Sequence, residues 1–461
     1  MTDTATTTDG SPGAAGPPLM ADGRPGHPDA RVLRSPVGSH LFAVDGSRLY
    51  DIPDDLADRL ERDLAGGDTA GLEALLAQVA PAGGRYIGPE SAEPPALRAI
   101  SLNVAQACNM GCGYCYADEG RFGGKARGMT LDTAKAVIDR LIAESEPGGR
   151  IVVGFMGGEP LMRRDLVHAA THYAADRAAA AGRALGFSLT TNLTLLTEDD
   201  AALFRDHGFA VQVSLDGPAA VNDGQRPMRR GGGATAGGAG SHARALDALT
   251  TIERVGRPRQ LAARATVTPK SGALVPILDH LLGLGFDEVG FSAVTRSPDP
   301  SLAFDRPDFA RFLAWMTACG EKALAAVLRG ERYAFSNFHT ALAEIHRGTH
   351  RPYPCGAGAG YLSANAEGDL YACHRLVDDP AHAMGDTDGT DVEARRAHLA
   401  ARHVDRQEPC RRCWARYLCG GGCYHEVDAV GRLACDHIRG WLAFCLAAYA
   451  TVSQEAPGYF R

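Results

Sequence analysis

Cys108-Asn109-Met110-Gly111-Cys112-Gly113-Tyr114-Cys115-Tyr116 sets three thiols in a C-x3-C-x2-C run, with an aromatic residue directly after the third. Thiolate is the soft ligand that iron–sulfur clusters need, and a short loop punctuated by glycine lets three sulfurs converge on one centre. Three cysteines hold three corners of an iron–sulfur cube and leave one iron without a protein ligand. That open iron is where chemistry can happen, whereas a four-cysteine centre is suited to carrying electrons.

Outward from this loop the chain settles into a repeating pattern. From residue 97, short β-branched or apolar runs are each followed by an Ala/Leu-rich helical stretch, which reads as βα units over a parallel sheet. Six candidate strands cover residues 99–104, 151–155, 186–191, 210–215, 262–268 and 288–294, with helices such as 131–143 and 199–207 between them. Six units make an open, partial (β/α)6 barrel. In βα barrels the active-site loops follow the C-terminal ends of the strands, and the cysteine loop directly follows the first. The next three strands end in Gly157-Gly158-Glu159-Pro160, Thr190-Thr191-Asn192 and Ser214-Leu215-Asp216-Gly217.

The cysteine spacing and these three strand ends together resemble the radical S-adenosylmethionine (SAM) enzymes. That resemblance implies an α/β radical SAM barrel in which SAM chelates the open iron and the Gly157-Gly158-Glu159 backbone recognises the methionine amine. It further implies that Asn192 and Ser214 help hold SAM, that Tyr116 packs on SAM or the cluster, and that Arg264 on the fifth strand neutralises the SAM carboxylate. Asp216 is the candidate base or substrate-orienting carboxylate. A hydrogen bond to its own loop is its other reading.

A second cysteine array follows. Cys355, Gly368 and Cys373 form C-x12-G-x4-C, and then come Cys410-x2-Cys413-x5-Cys419-x3-Cys423-x11-Cys435. This order resembles the seven-cysteine SPASM extension of radical SAM enzymes, so the resemblance covers about residues 97–446. It implies two auxiliary iron–sulfur clusters and three in all. Cys410, Cys413, Cys419 and Cys435 would hold one, and Cys355, Cys373 and Cys423 three corners of the other, whose fourth ligand stays unassigned. Trp414, Tyr417 and Gly420-Gly421-Gly422 are expected to pack around and between them. A zinc ribbon is the competing reading, but seven cysteines are one short of two all-cysteine zinc sites. Cys319 and Cys445 fall in apolar helical patterns and read as small buried hydrophobes.

The phrasing around the array, including Cys413-Trp414-Ala415-Arg416-Tyr417-Leu418-Cys419 and Cys435-Asp436-His437-Ile438-Arg439-Gly440-Trp441, resembles thioether-forming peptide maturases, most of all the maturases of quinohemoprotein amine dehydrogenase. The implied reaction joins cysteine sulfur to an Asp or Glu side-chain carbon in a substrate peptide or small protein subunit. A flavodoxin- or ferredoxin-like electron donor is implied with it. Carbon–carbon cyclisation and formylglycine formation share the same motifs and stay open. So does a non-catalytic metal-binding scaffold, whose expected sign would be a broken GGEP or cysteine triad.

The remaining chain bounds these readings. A net charge of −8 argues against a dedicated nucleic-acid binder. Apolar stretches such as residues 274–284 are interrupted by Pro276, Asp279 and His280, short of the roughly 20 residues of a membrane span. The N-terminus lacks a basic start and an apolar core, so it does not read as a secretory signal, and twelve cysteines fit a reducing cytoplasm. We divide the chain into a disordered tail (1–34), a small α+β module and linker (35–96), the radical SAM core (97–300), a helical bridge (301–350) and the SPASM domain with a C-terminal helix (351–461). The module is expected as a hairpin about Asp45-Gly46 followed by helical Leu56, Leu60, Leu64, Leu72, Leu75 and Leu76. It could dock a peptide by strand addition or simply pack on its neighbour. The linker 81–95 and the Gly/Ala-rich stretch 231–240 read as loops.

Overall fold

The computed structural model describes residues 27–79, 85–88, 93–229 and 239–461. The tail up to residue 26, most of the linker and residues 230–238 of the Gly/Ala-rich stretch lie outside the described residues.

The N-terminal module is an antiparallel sheet of three strands, β1 (Ala30–Ser35), β2 (Gly38–Ala43) and β3 (Arg48–Ile52), followed by helices Asp54–Ala65 and Ala70–Val79. The expected hairpin is β2–β3. The expected tail is corrected: residues 30–34 are ordered as β1, whose residue Ala30 joins Leu41, Leu60 and Leu72 in a small core of the module's own. Arg31 and Arg34, three apart, break the period-two pattern and disguise that strand in the sequence.

All six βα strands form. They are β4 (Ala99–Gln106), β6 (Arg150–Gly157), β7 (Ala184–Thr191), β8 (Ala210–Ser214), β9 (Gln260–Val267) and β10 (Glu288–Ala293), and β5 (Arg127–Gly128) is a short antiparallel addition to β4. Neighbours in the order β4-β6-β7-β8-β9-β10 are parallel throughout. Along β9 the period is two: Leu261, Ala263, Ala265 and Val267 are buried, while Ala262, Arg264 and Thr266 share the opposite face.

The sheet does not stop where the SPASM segment begins. β11 (Tyr361–Ala364) pairs in parallel with β4, and β12 (Leu370–Tyr371) turns back on β11. Ser363 accepts hydrogen bonds from Ser101 (2.7 Å) and Asn103 (2.9 Å), both on β4 and all three buried. The cysteine-rich region therefore extends the barrel's own sheet. On the far side, helices Arg306–Leu328 and Ser336–His346 supply the expected bridge, and Cys435–Glu455 packs along the first of them. Gly440 meets Leu313 there and Gly320 meets Phe444, while Cys319 and Cys445 are fully buried. Among the described residues no helix is long and apolar enough to cross a membrane.

Candidate active site

The cysteine loop leaves the C-terminal end of β4 and is held from two sides. Gly158 N–H donates to Ala105 O (2.8 Å) and Glu159 N–H to Ala107 O (3.0 Å), so the end of β6 is laced to the start of the loop. That approach needs glycine: φ is +135° at Gly157, where a Cβ would lie 2.3 Å from Ala105 O, and a Cβ at Gly158 would lie 2.2 Å from Ala107 O. On the other side, Gly111 N–H donates to Pro227 O (2.9 Å).

Glu159 is buried and its carboxylate is fully engaged. It accepts from Leu161 N–H (3.0 Å), Thr191 Oγ1 (2.7 Å) and Asn192 N–H (2.8 Å), which pins the end of β7 beside the end of β6. Asn192 in turn donates to Asn109 Oδ1 (3.0 Å) inside the cysteine loop. The strand-end motifs are thus one hydrogen-bonded rim.

This rim surrounds a cavity of about 220 Å³ lined by all three loop cysteines, Tyr116, Gly157, Gly158, Glu159, Asn192 and Ser214. Two expected members are missing, and both are corrected. Arg264 lines a separate cavity with Ser336, Asn337 and Arg351, because it lies two residues back along β9 from Thr266, the β9 residue that reaches this one. Asp216 is buried beneath the wall. Its Oδ2 accepts from the Tyr114 hydroxyl (2.6 Å), its Oδ1 accepts from Thr266 N–H (2.9 Å), and Arg226 lies 3.6 Å away, so in this structure the carboxylate anchors Arg226 and Tyr114.

Arg226 is the cation that the sequence reading missed. It lines the cavity, donates to the Tyr114 hydroxyl (2.5 Å), and its Nε is buried without a protein partner. Its loop carries no motif, and only tertiary contact brings it to the cysteines.

The far wall comes from the cysteine-rich segment. Arg375 stands over the Tyr116 ring (5.1 Å) and pairs with Glu426 (2.8 Å), and His425 meets the same ring at 5.6 Å between centroids. Arg296, just past β10, also lines this wall. Desolvation pushes the Tyr116 phenol up to about 12 against the opposing pull of Arg375, and desolvation takes His425 down to about 4. Tyr116 remains a neutral donor and His425 a neutral imidazole at ordinary pH.

The donor chemistry fits an iron–sulfur group. Burial raises the Cys108 thiol to about 12 and Cys112 to about 11, so they stay protonated unless a metal takes the proton's place. Among the described residues no three His, Cys, Asp or Glu side chains draw together as a single metal ion requires. The later cysteines fall into two electrostatic sets: Cys373 with Cys423 and Cys355, and Cys410 with Cys419, Cys435 and Cys413. All four of the second set, with Cys423 of the first, line a small hollow of about 50 Å³. Trp414, beside Cys413, meets the Phe42 ring edge-on at 6.1 Å and shares a buried cluster with Cys410.

This partial barrel with a cysteine loop on its C-terminal rim is the radical SAM α/β fold, and residues 102–271 match the Radical SAM superfamily. A radical SAM domain brings SAM and one [4Fe–4S] cluster with it. The serine-type anaerobic sulfatase-maturating enzyme of Klebsiella aerogenes is 25% identical over 362 residues, 74% of this chain and 83% of its own. Among solved structures, anSMEcpe with bound AdoMet superposes with a TM-score of 0.65 at 18% identity, over 77% of this chain and 99% of that one. Streptococcus suis SuiB bound to its precursor peptide SuiA gives 0.51 at 12% identity, over 87% and 95%. The matched domain and the sulfatase-maturating relative make the chain an enzyme.

Proposed function

We propose that the chain is a radical SAM maturase that modifies a peptide or small protein subunit in a reducing cytoplasm, joining cysteine sulfur to an Asp or Glu carbon. The observation that carries this reading is the shared cavity, whose SAM-side wall is Cys108, Cys112, Cys115 and the strand-end rim and whose opposite wall is Arg375 and His425 from the cysteine-rich segment. When bound, SAM and the reduced cluster supply a carbon radical able to take hydrogen from an unactivated carbon. Asn192, Ser214 and the Gly157-Gly158 turn would hold SAM, with Arg226 as the cation at its side. Tyr116 would close the site toward the cysteine-rich segment, where Arg375 and His425 meet its ring.

In the same reading the two later cysteine sets hold auxiliary clusters, and a flavodoxin- or ferredoxin-like protein delivers electrons. Arg296 gives the substrate wall a positive character that suits an acidic side chain, while Glu426 offsets Arg375. Net, one S–H and one C–H are exchanged for one S–C bond, a loss of two hydrogens.

Formylglycine formation is the second reading, favoured by the match to the serine-type sulfatase-maturating enzyme. Anaerobic reaction with peptides carrying Cys with Asp or Glu, and with a serine sulfatase peptide, separates the two. Both products lose two hydrogens. A crosslink removes the alkylatable thiol, whereas formylglycine creates an aldehyde that hydrazine captures. Aldehyde formation alone would overturn the thioether reading.

A further inference from the structure

The N-terminal module is seated on the stretch between two candidate cluster ligands, Cys413 and Cys419. Trp414 meets Phe42 of β2 and carries the Arg31 guanidinium of β1 at 4.8 Å. Arg416, two residues on, has a side chain with no solvent exposure. Its guanidinium donates to Pro28 O and the Asp29 carboxylate, just before β1, and also to Cys413 O (3.2 Å). Asp405 lies 3.7 Å from its Nε, which has no hydrogen-bond partner and is buried. The same Arg416 lines the small hollow together with Cys410, Cys413, Cys419 and Cys435, and with Cys423. A buried arginine on the cysteine turn thus lines the hollow, and its guanidinium is held by the chain's N-terminal segment.

We propose that the Arg416–Asp29 pair is a latch through which the N-terminal module positions the Cys413–Cys419 turn and sets the electron affinity of the group bound there. This rests on the reading that Cys410, Cys413, Cys419 and Cys435 hold an auxiliary iron–sulfur cluster. A buried cation favours the reduced, more negative form of a neighbouring cluster, and a carboxylate beside that cation offsets it. Arg416 is a positioning residue, since it acts on the cysteine turn and its charge environment. Anything that displaces Asp29 from Arg416 changes the potential of this centre, so an event at the module reaches the electron-handling end of the protein without touching the SAM cavity.

The test is anaerobic redox titration, followed by electron paramagnetic resonance, of the fully reconstituted chain and of Arg416→Gln and Asp29→Asn. Arg416→Gln is expected to lower the midpoint of one auxiliary signal and Asp29→Asn to raise it, with iron content and the SAM-cluster signal unchanged. Shifts in the same direction, or no shift, would overturn the latch. If Arg416→Gln loses iron, Arg416→Lys, or if Asp29→Asn loses iron, Asp29→Glu, each of which keeps the charge, should retain the iron and the wild-type midpoint; failure to retain either also overturns the latch. Wild-type protein with no iron beyond one cluster would instead sink the auxiliary-cluster reading on which the latch stands.

Discussion

Asp216 spends both carboxylate oxygens on the wall of the site, with Tyr114 and Thr266 as donors and Arg226 alongside. Removing one member of such a buried group leaves the others uncompensated, which typically costs 3–5 kcal/mol. Asp216→Ala is therefore expected to lose about 3 kcal/mol of stability in anaerobic denaturant unfolding. Asp216→Asn should keep the shape of the pH profile of SAM cleavage, whereas loss of an ionisation from that profile would restore the base assignment. The cysteines and strand-end residues were legible because soft ligands, glycines and turn-forming amides must recur at fixed spacing to do their work. Arg226 and Arg264 were not, because an arginine on a loop or strand declares neither its reach nor its direction until the neighbours are in place.

At the scale of elements, the six parallel strands announce themselves by apolar runs bounded by turn residues. β11 does not. It is four residues long, and its pairing with β4 joins positions about 260 apart, so no local pattern marks it. The seam between the N-terminal module and the body was equally hidden, because His350 and Ser47 meet only through the fold, at 3.1 Å. His350 packs its ring 4.0 Å from that of Tyr417, and burial lowers its pKa to about 4. Because the folded value lies below the free one near 6.5, the unfolded chain takes up the proton first. Stability from this group is complete above about pH 6.5 and is lost as pH falls toward 4, a change of about 3 kcal/mol. Once corrected for the intrinsic base-catalysed rate, amide protection at β3 should fall between pH 7 and 5 in the wild type, and His350→Gln should remove most of that acid dependence.

For the whole molecule, three cysteine groupings on one chain predict about twelve irons if each holds a cubane. Replacing Cys108, Cys112 and Cys115 together with Ala should abolish SAM cleavage while keeping about two-thirds of that iron. Persistent cleavage would dismiss the triad as the radical source. Stoichiometric zinc with little iron in the wild type would dismiss the auxiliary clusters.

The strand that ends in the cysteine triad is bonded on one flank to β6, which ends in the glycine turn, and on the other to β11, which lies between Cys355 and Cys373. The two cysteine neighbourhoods are therefore gauged by a common ladder of amides. Lengthening or shortening the loops around them leaves that gauge untouched. Only a slip of β11 along β4 can change it, and a slip of one residue would turn Ser363 away from Ser101 and Asn103. The separation between the two neighbourhoods can thus be inherited only in discrete steps, so relatives that handle different substrates should differ in the walls of the cavity long before they differ in that span.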